Sequence, residues 1–225
     1  MSKWLLKYNY PQIVFAKQIT DYLLKTGKSF GTIIDCPSGN GETAWHIANL
    51  THAKVIAADI SEESVAKSKQ NFSGAGIKFE VNSIESVLEV EKEFDAFCII
   101  NSLFLLDNYD SILKHLNESV SRNKAQLLVI IPNTAGKNFR WFQTHNKNEN
   151  KLLIEEKEIK WFFEKYGFAT NFIKPICYTH HYNRTDVKLF SVFWSVYLNI
   201  LNRIQTFLRI GKANYFLIAL TTKSK

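Results

Sequence analysis

A short apolar run that passes directly into a glycine turn is the feature of this sequence that most restricts its fold. The run begins at Thr32 and ends in Asp35, and the spacing G-x-G-x-x-A follows at Gly39, Gly41 and Ala44. This order predicts a buried strand, a tight turn whose backbone lies open to a ligand, and the first turn of a helix. The segment therefore predicts the first unit of a parallel α/β sheet.

A second acid lies at the position where an adenosine-binding site requires a hydrogen-bond acceptor for the ribose. The apolar run 55–58 ends in Asp59, and an acid about 20 residues after the turn can accept hydrogen bonds from two ribose hydroxyls. Asp35 discriminates among adenosine-bearing cofactors, because its carboxylate would repel a pyrophosphate and attract an ammonium group. Pro37 and Ser38 occupy the part of the turn where dinucleotide-binding proteins usually carry their first glycine.

The rest of the chain alternates between helical and strand-like hydrophobic patterns. Apolar runs separated by helices are typical of a parallel sheet that is covered on both faces, and 225 residues suffice for one sizeable domain. The predicted helices are 12–26, 42–50, 61–72, 107–121 and 154–166, and the predicted strands are 31–36, 54–58, 77–81, 94–100, 126–131, 168–177 and 215–220.

Four motifs in this order resemble those of class I S-adenosylmethionine-dependent methyltransferases. Residues 35–41 match the pattern D-x-x-x-G-x-G, residues 58–61 resemble the second motif, 94–103 the fourth-strand motif, and 162–168 the turn before the sixth strand. The similarity spans residues 31–222. It implies an α/β fold with a Rossmann-like, seven-stranded, mostly parallel sheet, helices on both faces and an antiparallel last strand.

The resemblance also implies S-adenosylmethionine as the cofactor and assigns residues to it. Asp35 and the glycine turn would face the methionine part, Asp59 would hold the ribose, and Ile60 would pack against the adenine. Asn82 or Ser83 stands where the family often has an acid for the adenine amine. The residues expected to contact the cofactor are Asp35, Pro37, Ser38, Gly39, Gly41, Asp59, Ile60, Asn82, Ser83, Ile84, Asn101 and Ser102.

The methyl acceptor is expected beyond the carboxyl ends of the strands, where open parallel sheets bind their substrates. His180 and His181 are the candidate bases, because a neutral imidazole can take a proton near pH 7; the alternative is that they are polar residues of a lid. No metal is expected, since no further ligand lies at a suitable spacing from them. The expected pocket residues are Tyr8, Tyr10, Phe104, Trp141, His145 and Tyr178. Ordinary packing is the alternative for Tyr8, Tyr10 and Trp141, and His145 is a further candidate base.

The predicted organisation is a single domain over residues 1–225. It comprises an N-terminal helical cap (1–28), a cofactor-binding core (29–132), a polar loop (133–151) and a substrate-side half (152–225). A long apolar helix over 186–210, inserted before the last strand, carries one narrow polar stripe. We expect it to pack on the domain as a lid; a membrane-surface helix and a homodimer contact are the alternatives.

Charge and cysteine content restrict the partners. Lys and Arg exceed Asp and Glu by 28 to 21, for a net charge of +7 spread along the chain. This balance favours solubility, with an acidic substrate or an anionic surface as the alternative, and the absence of a dense basic run argues against nucleic acid. Cys36, Cys98 and Cys177, an odd number at irregular spacing, indicate reduced thiols in the cytoplasm.

The sequence therefore predicts a methyltransferase for a small or lipid-like molecule, with oxygen as the methylated atom. A sugar or polysaccharide precursor is the alternative acceptor. From other classes, a nicotinamide-dependent reductase and a non-catalytic cofactor-binding partner protein are the competing interpretations. Asp35 and the strand–helix–strand unit at the end of the chain argue against the reductase.

Overall fold

Seven strands form one sheet in the order β3-β2-β1-β4-β5-β7-β6. The computed structural model describes residues 10–27, 29–72, 76–136, 152–177, 204, 205, 208 and 213–223. The first five strands pair in parallel, and β7 runs antiparallel to both of its neighbours, which confirms the predicted sheet. The strands are β1 (Thr32–Asp35), β2 (Lys54–Asp59), β3 (Ile77–Val81), β4 (Ala96–Ile100), β5 (Gln126–Pro132), β6 (Phe168–Ile176) and β7 (Tyr215–Thr222).

Helices cover both faces of this sheet, as predicted. Successive strand residues point to opposite faces, so Ile33 joins the core under α1, α2 and α3, while Ile34 joins the core under α4, α5 and α6. Both side chains are fully buried, which explains the uninterrupted apolar run of β1. The helices are α1 (Tyr10–Lys25), α2 (Glu42–Thr51), α3 (Glu62–Asn71), α4 (Ile84–Val90), α5 (Tyr109–Asn123) and α6 (Ile159–Lys165).

Helix α4 was not predicted from the sequence. Ser83 caps its N-terminus by accepting a hydrogen bond from Ser86 N at 3.2 Å. Ile84, Val87 and Leu88 recur at helical spacing and are buried against the sheet. The signal was therefore present, but seven residues with two valines are too short for a clear helical period.

Two other predicted boundaries differ from the structure. Strand β4 begins at Ala96 rather than at residue 94, although the Asp95 backbone still donates to Thr32 O at 2.9 Å and accepts from Gln126 N at 3.0 Å, and its carboxylate accepts from the backbone N–H groups of Gly31 and Thr32. Helix α6 begins at Ile159 rather than at residue 154, because Glu155 caps a preceding 3-10 turn over Glu156–Glu158.

Some predicted features lie mostly outside the described residues. Of the predicted loop 133–151, only residues 133–136 are described, and of the predicted helix 186–210 only residues 204, 205 and 208, which have helical backbone. Within the described parts of the chain, no helix is both long and apolar enough to cross a membrane.

Two buried asparagines join the ends of β5, β6 and β7. Asn133 Nδ2 donates to Ala213 O at 2.8 Å, and Asn214 Nδ2 donates to Cys177 O at 2.8 Å. Gly136 lies so close that a Cβ there would be 3.0 Å from Ala213 O. These contacts fix the sheet edge at which β5 ends.

Replacing Asn133 by alanine tests this anchoring. The variant removes a donor from the buried Ala213 carbonyl, so the free energy of unfolding should fall by about 1–3 kcal/mol. Urea denaturation measures it. Asn171→Ala, which removes an exposed amide from β6, is the matched control and should change stability by less than about 0.5 kcal/mol. Equal effects for the two variants would contradict the anchoring role.

Candidate functional site

The glycine turn after β1 is held by backbone hydrogen bonds to the neighbouring strand. Ser38 N donates to Ala58 O at 2.8 Å, and Gly41 N donates to Ser38 O at 3.0 Å. Gly39 and Gly41 both have left-handed backbone, with φ of 55° and 73°. The sequence forms this turn because glycine adopts positive φ without the steric cost that a side chain brings.

The two glycines serve different purposes. A Cβ at Gly41 would lie 2.5 Å from a ring carbon of Phe79 and 2.7 Å from Ser68 Oγ, so this glycine permits the turn to pack against α3 and β3. A Cβ at Gly39 would meet no atom within 4 Å. The Gly39 side of the turn is therefore the side that has room for a ligand.

Asp59 ends β2 with its carboxylate held in place by the backbone. Its Oδ2 accepts from Gly39 N at 2.7 Å, and its Oδ1 accepts from Ser61 N at 2.9 Å. A carboxylate offers about four acceptor positions, so roughly two remain for other donors. That capacity fits the two hydroxyls of a ribose.

Asp35 is a buried carboxyl group whose Oδ1 has no hydrogen-bond partner among the described residues. Only 1% of its surface is exposed. Burial, followed by repulsion from Asp59, holds the pKa of Asp35 well above the ordinary 3.8. An unsatisfied buried oxygen of this kind is costly unless a donor reaches it, and an ammonium group is the donor that would also restore the charged form.

The ends of β2 and β3 offer an apolar surface beside Asp59. Ile60 is 75% exposed, although it is a large aliphatic residue next to a buried strand. Asn82 Nδ2 donates to Glu80 Oε2 at 3.0 Å, and Ser83 is engaged as the cap of α4. Ile84 is the first residue of α4, whose opening N–H groups lack partners within the helix. A ring lying on Ile60 would thus have backbone donors nearby.

The end of β4 completes this edge of the sheet. Asn101 has a φ of 53°, and the buried Ser102 Oγ has no hydrogen-bond partner among the described residues. Beyond it lies a small cavity of about 10 Å³, at the ends of β4 and β5. Its lining is mainly apolar and consists of Leu103, Phe104, Ile131, Pro132, Thr134, Leu152, Leu153 and Ile154.

The structure thus brings all twelve predicted cofactor residues to one edge of the sheet. The strand order places the ends of β3, β2, β1 and β4 side by side, and these ends carry the twelve residues from Asp35 to Ser102 that the sequence assigned to the cofactor. Phe104 lies at the same edge. Seven other predicted site residues lie outside the described part of the chain or have no described side chain: Tyr8, Tyr10, Trp141, His145, Tyr178, His180 and His181.

Two features of the site were not predicted from the sequence: Glu42 and the cavity lining that follows β5. Glu42 is buried in the first turn of α2, where its backbone N–H contacts Asn40 Oδ1 at 3.3 Å. An acid directly after a G-x-G turn was a usable signal, because negative charge is favourable at a helix N-terminus. Leu152–Ile154 gave no signal, because their approach to β5 is a tertiary contact.

Histidines in the described part of the chain belong to the helical scaffold. His46 lies within α2, His52 caps its C-terminus and His115 lies within α5. Burial lowers the pKa of His46 to about 4, so its imidazole is neutral at pH 7. No cluster of three potential metal-ligating side chains is found among the described residues.

Comparisons with known proteins agree with this geometry. Residues 33–123 match a family model described as a methyltransferase domain. No curated protein sequence matches the chain.

Solved methyltransferase structures share the fold. The magnesium protoporphyrin IX methyltransferase of Synechocystis PCC 6803 with bound SAH is 14% identical, with 93% of this chain and 83% of that chain covered and a TM-score of 0.61. The plantazolicin methyltransferase BpumL with SAH is 15% identical, with 96% and 85% covered and a TM-score of 0.61. An S-adenosylmethionine-dependent methyltransferase of Archaeoglobus fulgidus is 16% identical, with 92% and 94% covered and a TM-score of 0.56.

Replacing Gly41 by alanine should destabilise the protein more than the same change at Gly27. Both glycines have positive φ, 73° and 67°, so both variants incur backbone strain, but only at Gly41 does the added Cβ overlap other atoms. We expect losses of about 1–2 kcal/mol for Gly27→Ala and about 2–5 kcal/mol for Gly41→Ala. Urea denaturation would measure both, and equal losses would contradict the packing role of Gly41.

Replacing Asp35 by asparagine should have opposite effects on stability and on ligand affinity. The pKa of Asp35 is raised in the folded state, so above pH 3.8 the folded protein binds more protons than the unfolded chain and loses stability as pH rises. The advantage of Asp35→Asn in the ligand-free protein should therefore grow by about 1.4 kcal/mol per pH unit between the unfolded and folded pKa values. S-adenosylhomocysteine, which carries an ammonium group, should bind roughly 10- to 100-fold more weakly to the variant.

Urea midpoints at several pH values and calorimetric titration measure these two effects. Asp107→Asn, which changes an exposed acid before α5, should alter neither quantity. An Asp35→Asn variant that retains its full affinity for S-adenosylhomocysteine would show that the carboxyl group does not contact the ammonium group.

Proposed function

We propose that the chain is a class I S-adenosylmethionine-dependent methyltransferase that methylates an oxygen atom of a small or lipid-like acceptor, supported by the methyltransferase-domain match over residues 33–123 and by the shared fold. The observation that carries the cofactor assignment to individual residues is the buried Asp35 Oδ1, which has no partner among the described residues at the end of β1. The residues present fit the cofactor, since this edge combines an acceptor for an ammonium group with acceptors for a ribose.

Each residue of the edge has a defined task in this proposal. Asp35 accepts from the ammonium group, and Asp59 uses its remaining acceptor positions for the ribose hydroxyls. Ile60 covers one face of the adenine, and the backbone around Gly39 leaves room for the ligand to lie against it. When bound, S-adenosylmethionine supplies an electrophilic methyl group on a positively charged sulfur.

An apolar acceptor is supported by the residues beyond β4 and β5. The cavity between them, of about 10 Å³, is too small to hold an acceptor itself, but its lining is mainly aliphatic and aromatic, and Leu153 carries this apolar surface to solvent, where it is 47% exposed. Such a surface binds an apolar body and excludes water from the reacting atoms. Two fold neighbours are named for magnesium protoporphyrin IX and for plantazolicin, which supports a discrete molecule as the acceptor.

A hydroxyl acceptor needs a base, and we assign this role to His180 or His181. The support is chemical and topological: a neutral imidazole takes a proton near pH 7, and the two histidines follow Cys177 closely in the chain. Cys177 itself is fixed at this edge, because its carbonyl accepts from Asn214 N at 3.0 Å. Tyr8, Tyr10, Trp141, His145 and Tyr178 are proposed as further acceptor contacts.

Paired leucine variants test the acceptor site. Leu153 lines the cavity and Leu50 lies on α2, and their exposed fractions are 47% and 48%. Leu153→Gln should raise KM for an apolar acceptor roughly tenfold, because about 1–2 kcal/mol of apolar contact is lost, while Leu50→Gln should leave KM unchanged. The measurement is transfer of labelled methyl from S-adenosylmethionine to phenols and long-chain alcohols, with free sugars and nucleotide sugars as a second panel.

Labelled product from the sugar panel alone, or equal KM values for the two variants, would contradict an apolar acceptor. The form of the product tests the methylated atom, because methyl ethers and methyl amines are separable by chromatography. His180→Gln and His181→Gln should lower kcat for a hydroxyl acceptor without weakening the binding of S-adenosylhomocysteine.

A further inference from the structure

A second pocket lies on the opposite flank of the molecule from Asp59. It opens between the C-terminal half of α1 and the edge strand β6, and its volume is about 260 Å³. Strand β6 is the outermost strand beyond β4, β5 and β7, whereas the proposed cofactor edge is formed by β3, β2, β1 and β4. The described residues that line the pocket are Gln18, Asp21, Tyr22, Lys25, Thr26, Phe172 and Lys174.

Two lysines give this pocket an excess of positive charge. Lys174 is half-buried, and its Nζ donates to Gln18 Oε1 at 2.6 Å. Neither Lys174 nor Lys25 forms a salt bridge within the described parts of the chain. The half-buried Lys174 and the exposed Lys25 therefore contribute two ammonium groups to a pocket that holds one carboxylate, that of Asp21.

The lowered pKa of Lys174 is consistent with this excess of positive charge. Its pKa is lowered, first by burial and then by repulsion from Lys25, and Asp21 opposes these effects only as the smallest of the three. An anion placed between the two ammonium groups would remove this repulsion and stabilise the charged form of Lys174.

Two aromatic rings form the apolar part of the pocket. The rings of Tyr22 and Phe172 lie 5.2 Å apart between centroids and are tilted by 38°. Burial raises the pKa of Tyr22 further above its ordinary value, which keeps the phenol protonated and able to donate a hydrogen bond. A planar ring placed here would contact aromatic surface and have a hydroxyl donor nearby.

We propose that this pocket binds a small molecule in which one carboxylate or phosphate group is joined to a planar apolar ring. The anionic group would accept from Lys174 and Lys25, and the ring would pack against Tyr22 and Phe172. The volume lies just below the usual range of drug-sized sites, about 300–1,000 Å³, and so suits a single ring system. The proposal does not depend on the identity of the methyl acceptor.

Titration of the full chain with four fragment probes tests this site. Benzoate and phenyl phosphate are the anionic probes, and benzyl alcohol and benzylamine are matched neutral and cationic ones. Binding is followed by two-dimensional amide NMR in the presence of saturating S-adenosylhomocysteine, which blocks the cofactor edge. We expect one or both anions to shift the amides of Tyr22, Lys25, Phe172 and Lys174, with at least tenfold weaker binding of benzyl alcohol and benzylamine.

Lysine variants test whether the anion binds in this pocket. Lys174→Met keeps an apolar stem and removes the charge, and it should weaken binding of the preferred anion at least tenfold. Lys54→Met, which changes an exposed lysine on β2, is the control. Lys25→Gln changes an exposed residue at the end of α1, so it is a second test that does not depend on whether Lys174→Met folds. It should weaken binding of the preferred anion several-fold.

The two anions distinguish the ligand classes. Preference for phenyl phosphate assigns the pocket to an aryl or nucleoside-like phosphate, and preference for benzoate assigns it to an aromatic acid. Equal binding of benzyl alcohol, shifts confined to residues outside the pocket, or unchanged affinity in both Lys174→Met and Lys25→Gln would overturn the proposal.

Discussion

The carboxylate of Asp59 is the contact on which the ligand-binding edge depends. It accepts from Gly39 N and Ser61 N, and so it joins the turn after β1 to the residue that caps α3. One side chain therefore fixes the ends of two neighbouring strands and still retains acceptor capacity for a ligand. Gly41 completes the arrangement, because only a residue without Cβ lets the turn approach Phe79 and Ser68.

Asp35 illustrates how a site for a charged ligand reduces the stability of the ligand-free protein. Its carboxyl group is fully buried beside a second carboxylate, and its Oδ1 has no partner in the described structure. A hydrophobic residue at this position would suit the fold better. Residues at binding sites often break the rules of core packing in this way, since the ligand supplies the missing partner.

Much of the fold could be predicted from the sequence because its signals are local. Apolar runs, the glycine turn and capping residues such as Ser61 each act over a few positions, and they predicted the seven strands and five of the six helices in the described part of the chain. The features that were missed depend on tertiary contacts or on short segments: the start of β4 at Ala96, the short helix α4, and the 3-10 turn before α6.

The same distinction between local signals and tertiary contacts applies to the residues of the site. Asp35, Gly39 and Asp59 are identified by their order and spacing, whereas the cavity lining from Leu152 to Ile154 lies beside β5 only through folding. The pair Lys25 and Lys174 is a clearer case, because no sequence pattern relates a helix terminus to an edge strand so far along the chain. Only the packing of α1 against β6 places these two charges in one pocket.

The asparagine contacts at the end of β5 bear on how such a protein can diversify. The chain leaves the sheet at Cys177 and returns at Ala213, and hydrogen bonds from Asn133 and Asn214 hold these two points together. The entropy of closing a loop changes slowly with its length, by about 0.6 kcal/mol per doubling. The segment between Cys177 and Ala213 can therefore be lengthened, shortened or exchanged while the hydrogen-bonded ends of β5, β6 and β7 keep their geometry. If this segment contacts the acceptor as proposed, acceptor choice can evolve separately from the cofactor edge.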